Sequence, residues 1–249
     1  MIPGAMFAST SRLISASWTN TKSVKYTGTV TSDAGRTTFG QPASWSKTLN
    51  SQEFTCTMWF KRNGRDGMLL ASRSDSNAYW QTSVSSGAIV SYYGGNFASG
   101  GTVADATWYA LTQTVRNESG TYTGRTYLGN SSTSICNTTG GTTALAIDFY
   151  LNIRRGSDNT NFSIGSWGAF NLDNIAFWSV GFTGTDHVEW YNSGHAMNAT
   201  AHSKAANLIN YYYCGDHASD SATVLKDVSG SVNGTHENTS NVSYATDVA

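Results

Sequence analysis

The sequence predicts an all-β fold, built as a sandwich or barrel of antiparallel strands with one short helix. Short segments of alternating apolar and polar residues recur along the 249 residues, separated by glycine-containing turns. Only one stretch carries a helix signature. Charged residues make up 12% of the chain, so the polar surface comes from Ser, Thr, Asn and Gly, a mixture that favours strands and tight turns.

The clearest alternation lies at residues 54–62, FTCTMWFKR. Positions 54, 56, 58 and 60 are all apolar and face one side of the predicted strand, while Thr55, Thr57, Trp59 and Lys61 face the other. This pattern predicts a long strand with its apolar face towards a core.

The strand predicted at residues 172–180 has a different pattern. Ile175 and Phe177 point one way, whereas Ala176, Trp178 and Val180 point the other. Because apolar residues occupy both faces, we expect this strand to lie between two layers.

A short helix is predicted next, near residues 185–192. Thr183 is placed to be the N-cap, and Asp186 has the spacing of a capping box. Val188 and Tyr191 share one face, and Gly194 is placed to end the helix.

The remaining predicted strands and turns indicate a single domain. Residues 1–20 are assigned to an N-terminal arm, 21–230 to one sandwich domain, and 231–249 to a polar C-terminal tail. Residues 32–52 are expected to be loop, and 195–207 weakly helical. Further strands are expected at residues 23–27, 68–73, 78–84, 88–93, 108–116, 122–128, 145–153 and 208–214.

Charge and cysteine usage exclude several classes of protein. The net charge is −1 without any Lys/Arg run, which argues against a nucleic-acid binder. The sequence contains no apolar segment long enough to predict a membrane span, and no signal peptide is predicted. The three cysteines, Cys56, Cys136 and Cys214, are interpreted as free thiols made in a reducing compartment, with a Cys136–Cys214 bridge left open.

Carboxylates give no catalytic pattern, so the chain is predicted not to be an enzyme. Glu53, Glu118, Glu189 and Glu237 each lack an acidic residue two positions on, the spacing that places two carboxylates on one strand face. Asp216, Asp220 and Asp227 lie in an oxygen-rich loop that is a candidate Ca²⁺ site, and Ca²⁺ is the single cofactor that the sequence suggests. Asx-capped turns are the favoured interpretation of these three residues.

Aromatic residues cluster around a glycine-rich loop and form the candidate glycan site. Sugar rings stack on exposed aromatic faces beside amide donors, although alternate aromatics in a sandwich more often fill its core. The candidate residues are Tyr79, Trp80, Tyr92, Tyr93, Asn96 and Phe97.

Five ordered motifs resemble those of the laminin-G-like, or concanavalin-A-like, lectin and glucanase jelly rolls. Phe54, Thr55, Trp59 and Lys61 occupy the marked positions of one family strand, and Trp108 leads another. The motifs, which together cover roughly residues 23–215, are SVKYTG, FTCTMWFKR, TWYALTQTV, GRTYLGN and FSIGSW with the NLDNIAFWSVGFTGTDHVEWYNSG that follows. The resemblance implies a jelly-roll sandwich of two antiparallel sheets.

Residues 211–235, YYYCGDHASDSATVLKDVSGSVNGT, also resemble the ends of jelly-roll proteins from marine bacteriophage virions. The function expected first is therefore a non-catalytic virion structural protein, a capsid decoration (cement) or appendage component made in the cytoplasm. Its expected partners are other virion proteins or copies of itself. The alternative is a lectin-like module that binds a host surface glycan, since fold alone does not decide function.

Overall fold

The computed structural model describes residues 19–27, 35–39, 47–48, 52–73, 79–94, 96–139, 146–147, 163–164 and 168–249. For residues 47–48, 71–73, 79, 146–147 and 163–164 it describes the backbone alone. The N-terminal arm predicted at residues 1–20 lies outside the described residues, except for Thr19 and Asn20.

The described residues form strands that pair in antiparallel fashion, as the alternating sequence pattern predicts. In chain order they are β1 (Ser23–Tyr26), β2 (Arg36–Thr38), β3 (Lys47–Thr48), β4 (Phe54–Arg65), β5 (Gly67–Arg73), β6 (Tyr79–Ser85), β7 (Ala88–Tyr93), β8 (Asn96–Thr102), β9 (Trp108–Glu118), β10 (Thr121–Leu128), β11 (Cys136–Thr139), β12 (Ala146–Ile147), β13 (Ser163–Ile164), β14 (Ala169–Trp178), β15 (Leu208–Tyr212), β16 (Val224–Leu225), β17 (Gly234–Glu237) and β18 (Val242–Ala245).

Two eight-stranded sheets make the sandwich, which confirms the predicted all-β fold class. Sheet one has the order β11-β10-β9-β4-β14-β1-β18, with β15 also pairing with β14. Sheet two has the order β16-β17-β2-β13-β5-β6-β7-β8. A two-stranded sheet joins β3 and β12. Of the strand predicted at residues 145–153, Ala146 and Ile147 are the described residues.

The central strand of sheet one is β14, which begins at Ala169 rather than at the predicted position 172. Its register against β4 shifts between Asp173 and Ala176, where Asn174 has a left-handed φ of 52°. This bulge changes the phase of the strand, so that Leu172 and Ile175 both face the core between the sheets.

Both faces of β14 are buried, as its sequence predicts. Phe177 lies in the core between the sheets, whereas Ala176 and Trp178 lie in a second apolar cluster on the outer face of sheet one. Trp59 and Trp190 belong to that second cluster, and the Trp178 indole Nε1 donates to Thr57 Oγ1 over 3.1 Å. The helix and the segment after it therefore cover this part of the outer face.

The helix α1 (Gly184–Tyr191) has the predicted capping box. The Asp186 amide donates to Thr183 Oγ1 over 3.2 Å, and the Thr183 amide donates to Asp186 Oδ2 over 2.7 Å. The helix ends at a left-handed Asn192 (φ 45°) rather than at Gly194, which lies two residues further on. Short 3₁₀ turns, 199–201 and 205–207, stand where weak helix is predicted.

Replacing the N-cap, Thr183→Ala, should lower the free energy of unfolding by about 1 kcal/mol, because the Asp186 amide of the first turn loses its acceptor. Thr185→Ala is the matched control, since Thr185 is exposed in the same turn. Urea denaturation of both variants measures the difference. Equal midpoints for the two variants would contradict the capping role.

Residues 231–249 are not a tail outside the sandwich, so the predicted domain end at residue 230 is wrong. Strand β17 pairs with β2 and β16 in sheet two, while β18 pairs with β1 in sheet one. The loop expected at residues 32–52 likewise contains β2 and β3. These strands are short, with two to four residues each, and most of their residues are polar, which is why their alternation is not visible in the sequence.

All three cysteines are free and buried, which confirms their interpretation as thiols. Cys56 lies on β4 with its side chain in the core. Burial raises the pKa of the Cys56, Cys136 and Cys214 thiols, so these groups stay protonated near neutral pH. The bridge that the sequence left open between Cys136 and Cys214 is not formed.

Candidate functional site

The predicted glycan residues divide between the two faces of sheet two, because neighbouring positions on a strand point to opposite sides. Trp80 pairs with Tyr93 across β6 and β7, and both side chains are buried in the core. The Trp80 ring meets Phe54 of sheet one edge to face, with centroids 5.3 Å apart. Trp80 and Tyr93 therefore fill the sandwich, and their assignment to a glycan surface is wrong.

The outward row on the same strands is formed by Gln81, Tyr92 and Phe97, which we call the aromatic platform. Gln81 pairs with Tyr92, and Tyr92 pairs with Phe97, so the three lie side by side across β6, β7 and β8. The Tyr92 and Phe97 rings are 5.5 Å apart and inclined by 36°. Phe97 is 68% exposed, and Val188 is the other large apolar side chain exposed among the described residues.

Asn96, at the start of β8, is exposed, but it pairs with the inward-facing Tyr93 and so points away from the face that carries Phe97. Its Nδ2 donates to the Thr139 carbonyl over 2.6 Å, which ties β8 to the neighbouring edge strand β11. Tyr79 also lies on β6, but its side chain is outside the described residues. Gln81 was missed by the sequence analysis, although its period-two spacing from Ser83 marks it as outward facing.

Chemically, the aromatic platform offers apolar ring faces next to the Gln81 amide, which is able to donate and accept hydrogen bonds. Sugars present the matching combination, because their C–H faces are apolar and their hydroxyl groups surround the ring. Aromatic side chains supply such contact with little conformational entropy to lose, which suits a shallow binding surface.

The three aspartates that the sequence offered as a calcium site are not brought together. Asp216 accepts from the Thr21 and Lys22 amides, and Asp220 accepts from the Gly215 and Lys226 amides. Asp227 accepts from the Tyr211, Gly230 and Val232 amides, at 3.0–3.1 Å. No cluster of three metal-ligating residues occurs in the described part of the chain. Asp220 and Asp227 close turns, as the favoured interpretation has it, whereas Asp216 ties its loop to the segment before β1.

The glutamates are each engaged by structural donors. Glu53 accepts from the Asn117 and Gly181 amides, and Glu189 accepts from the Ser203 amide. The hydrogen bond from Arg125 lowers the pKa of Glu118, the opposite of what a general acid needs. Glu237 pairs with Arg36.

Asp173 has a different environment, because burial raises its pKa to about 7. A carboxyl with a near-neutral pKa is a frequent mark of acid–base catalysis. Asp173 is fully buried, however, and the side-chain Nδ2 of Asn20 donates to its Oδ2 over 2.7 Å. A substrate therefore has no access to this group, and its raised pKa is a structural property.

Several solved structures are similar to this chain. A Bacteroides ovatus protein described as carbohydrate binding superposes with a TM-score of 0.63 at 15% identity, over 92% of this chain and 60% of that one. The heptameric SAP-like pentraxin of Limulus polyphemus gives 0.52 at 10% identity, over 87% and 95%. Domains LG4-5 of the mouse laminin alpha1 chain give 0.42 at 10% identity, over 63% and 40%.

The fold is a concanavalin-A-like, laminin-G-like jelly roll. The fold class and the family resemblance expected from the five sequence motifs are therefore confirmed. Sequence identities of 10–15% establish the jelly-roll fold only, so the function has to be argued from the residues of the site.

No family model matches the sequence, and no curated protein matches it either. The chain spans 60% of the length of the Bacteroides ovatus protein. None of the helices among the described residues has the length and apolar character needed to cross a bilayer.

Proposed function

We propose that this jelly roll is a non-catalytic, lectin-like module that binds a saccharide on the aromatic platform. The observation that carries the proposal is Phe97, a large ring left 68% exposed beside Tyr92 on an edge of sheet two. Exposed apolar side chains of this size cost solubility, and when grouped with another aromatic ring they mark binding surfaces.

The surroundings of Phe97 support a saccharide rather than an apolar ligand. Gln81 brings a side-chain amide to the same face as Phe97, and it is partly exposed. A shallow, open surface with few charges suits a neutral sugar ring, whose affinity comes from stacking and a few oriented hydrogen bonds. The fold-level neighbour described as carbohydrate binding is consistent with this proposal by analogy only.

Replacing Phe97 by alanine should weaken binding of the glycan found on an array by about tenfold, or about 1.4 kcal/mol, because the stacking face is lost. The free energy of unfolding should change little, since the ring is mostly exposed. Val188→Ala, at the other exposed apolar residue, is the matched control and should bind like the wild type. Binding that survives Phe97→Ala unchanged, or an array without any hit, would contradict the proposal.

The role as a bacteriophage decoration or appendage protein stays a prediction, as do the virion location and the assembly with virion proteins or further copies. No contact among the described residues favours that role over glycan binding. The two are compatible, because a lectin-like module is able to serve on a larger assembly.

A further inference from the structure

We propose a second binding site, for the carboxylate of a uronic acid, in a cleft on the outer face of sheet one. The cleft has a volume of about 400 Å³, within the range of small-ligand sites. It opens where β14 begins, between the end of β1 and the end of β4. We call it the basic cleft and define it by Lys25, Thr27, Asn63, Arg65 and Ala169.

The cleft arises from a difference in side-chain length on three neighbouring strands. Strand β14 pairs with β1 on one side and with β4 on the other, and Ala169 pairs directly with Arg65. Because Ala169 carries only a methyl group, the longer side chains of the flanking strands form walls around it. Val24 and Tyr26 point into the core, so Lys25 between them faces outward.

The charge of the basic cleft is positive. Lys25 and Arg65 are its charged residues, and none of the residues that line it, all within the described part of the chain, is acidic. Two acids close in sequence to Asn63 and Arg65 or bonded to Gly64 are engaged by another arginine: Asp66 and Asp105 each pair with Arg62 at 2.9 Å, and Asp105 also accepts from the Gly64 amide.

Lys25 adds to this positive field without an ion pair of its own among the described residues. Burial, and then the charge of Lys25, lowers the pKa of the neighbouring Lys61. Lys61 itself pairs with Asp247. An anion in the basic cleft would therefore supply a counter-charge for Lys25, and a carboxylate between a lysine and an arginine makes charge-assisted hydrogen bonds.

Polar groups suited to sugar hydroxyls lie beside the two cations. The Asn63 Nδ2 donates to Asn171 Oδ1 over 2.8 Å, which fixes the amide so that its oxygen remains available as an acceptor. Thr27 is exposed and adds a hydroxyl group. The saccharide character of the ligand rests on the proposed function, whereas its anionic character rests on Lys25 and Arg65. The site is separate from the aromatic platform, which lies on sheet two.

The test is an NMR titration of the ¹⁵N-labelled protein with sodium glucuronate, sodium acetate and glucose at low ionic strength. Glucuronate should shift the backbone amides of Thr27, Asn63 and Gly64, with smaller effects from acetate and none from glucose. Lys25→Met together with Arg65→Met should weaken glucuronate binding at least about tenfold, because two charge-assisted hydrogen bonds are lost. Added salt should weaken binding in the wild type.

Lys226→Ala is the matched control, because it removes a half-buried lysine from the edge of sheet two. It should leave glucuronate binding unchanged, and so should Phe97→Ala, which tests the aromatic platform separately. No amide shift near the cleft in the wild type would overturn the proposal, whether or not the double variant folds. Equal affinity for acetate and glucuronate would overturn its saccharide part, and loss of glucuronate binding in Phe97→Ala would overturn its separateness.

Discussion

Deletion of residues 231–249 should abolish cooperative folding of this jelly roll. The segment supplies β17, which lies between β16 and β2 in sheet two, and β18, which lies on β1 in sheet one. Val242 is buried in the core. The His236 Nδ1 lies 2.7 Å from Thr37 Oγ1, and the Tyr212 hydroxyl donates to the Val232 carbonyl over 2.6 Å.

The loss should exceed what the fold is able to tolerate, because a domain is stable by only about 5–15 kcal/mol in total. Deletion opens an edge on both sheets, exposes core side chains and leaves the buried Asp227 carboxylate without the Val232 amide that donates to it. Far-ultraviolet circular dichroism during urea titration measures the effect. A chain that ends at residue 230 and unfolds at the wild-type midpoint would show that the segment is dispensable.

A peptide of residues 231–249 added to the truncated chain is the informative control. Restoration of a cooperative transition by the peptide would locate the defect in the missing strands rather than in the shortened chain. Ser240→Ala in the full chain is the control for side-chain loss within the segment, since Ser240 is exposed and should have little effect.

Acid should destabilise the protein between about pH 6.5 and pH 4, with His187 as a principal cause. Burial lowers the pKa of His187 from 6.5 to about 4, and burial does the same for His236. In this window the unfolded chain binds protons that the folded chain does not, so stability falls as the pH falls. Each pKa unit is worth about 1.4 kcal/mol, so each histidine contributes up to about 3 kcal/mol.

His187 stays neutral in the folded protein because burial removes the water that would stabilise a charged ring. It is fully buried, its ring stacks on Tyr127 at 5.5 Å, and its Nε2 lies 2.9 Å from the Gly129 carbonyl. His187→Gln should flatten the pH dependence of the free energy of unfolding by up to one proton. Urea denaturation at half-unit steps between pH 4 and pH 8 measures this slope, and an unchanged slope in the variant would contradict the assignment.

Asp173 should affect the pH dependence of the free energy of unfolding with the opposite sign, and Asp173→Asn is the variant that tests this. Burial raises the pKa of Asp173 from 3.8 to about 7, so its stabilising contribution is complete below pH 3.8 and is lost as the pH rises through 7. Its Oδ1 is buried without a hydrogen-bond partner. The asparagine variant should therefore gain stability relative to the wild type at pH 8, and lose that gain at pH 4.

Strands with a strict alternation were predictable from the sequence, and the helix was predictable from its cap. Residues 54–62 and 108–116 alternate because one face of each strand meets the core. The bulge at Asn174 was not predictable, since apolar residues on both sides of it hide a change of phase. Strands β17 and β18 were missed because their outward residues are polar and their inward residues include His236.

The candidate site was predictable only in part. The sequence indicated the right strands but could not assign each ring to a face, because Trp80 and Phe97 are both large aromatic residues that occur on either face of a strand. Pairing across β6, β7 and β8 decides the matter by setting Tyr92 beside Phe97. The basic cleft was not predictable, because Lys25, Arg65 and Ala169 lie far apart in the chain and meet only through the pairing of β14.

Glycan binding through Gln81, Tyr92 and Phe97 is what we propose for this jelly roll. It is tested by an aromatic and amide NMR shift map recorded with the glycan that gives the strongest array signal. The largest shifts should fall on the Phe97 ring and on residues of β6, β7 and β8. Shifts confined to sheet one or to the covered face under α1 would contradict it.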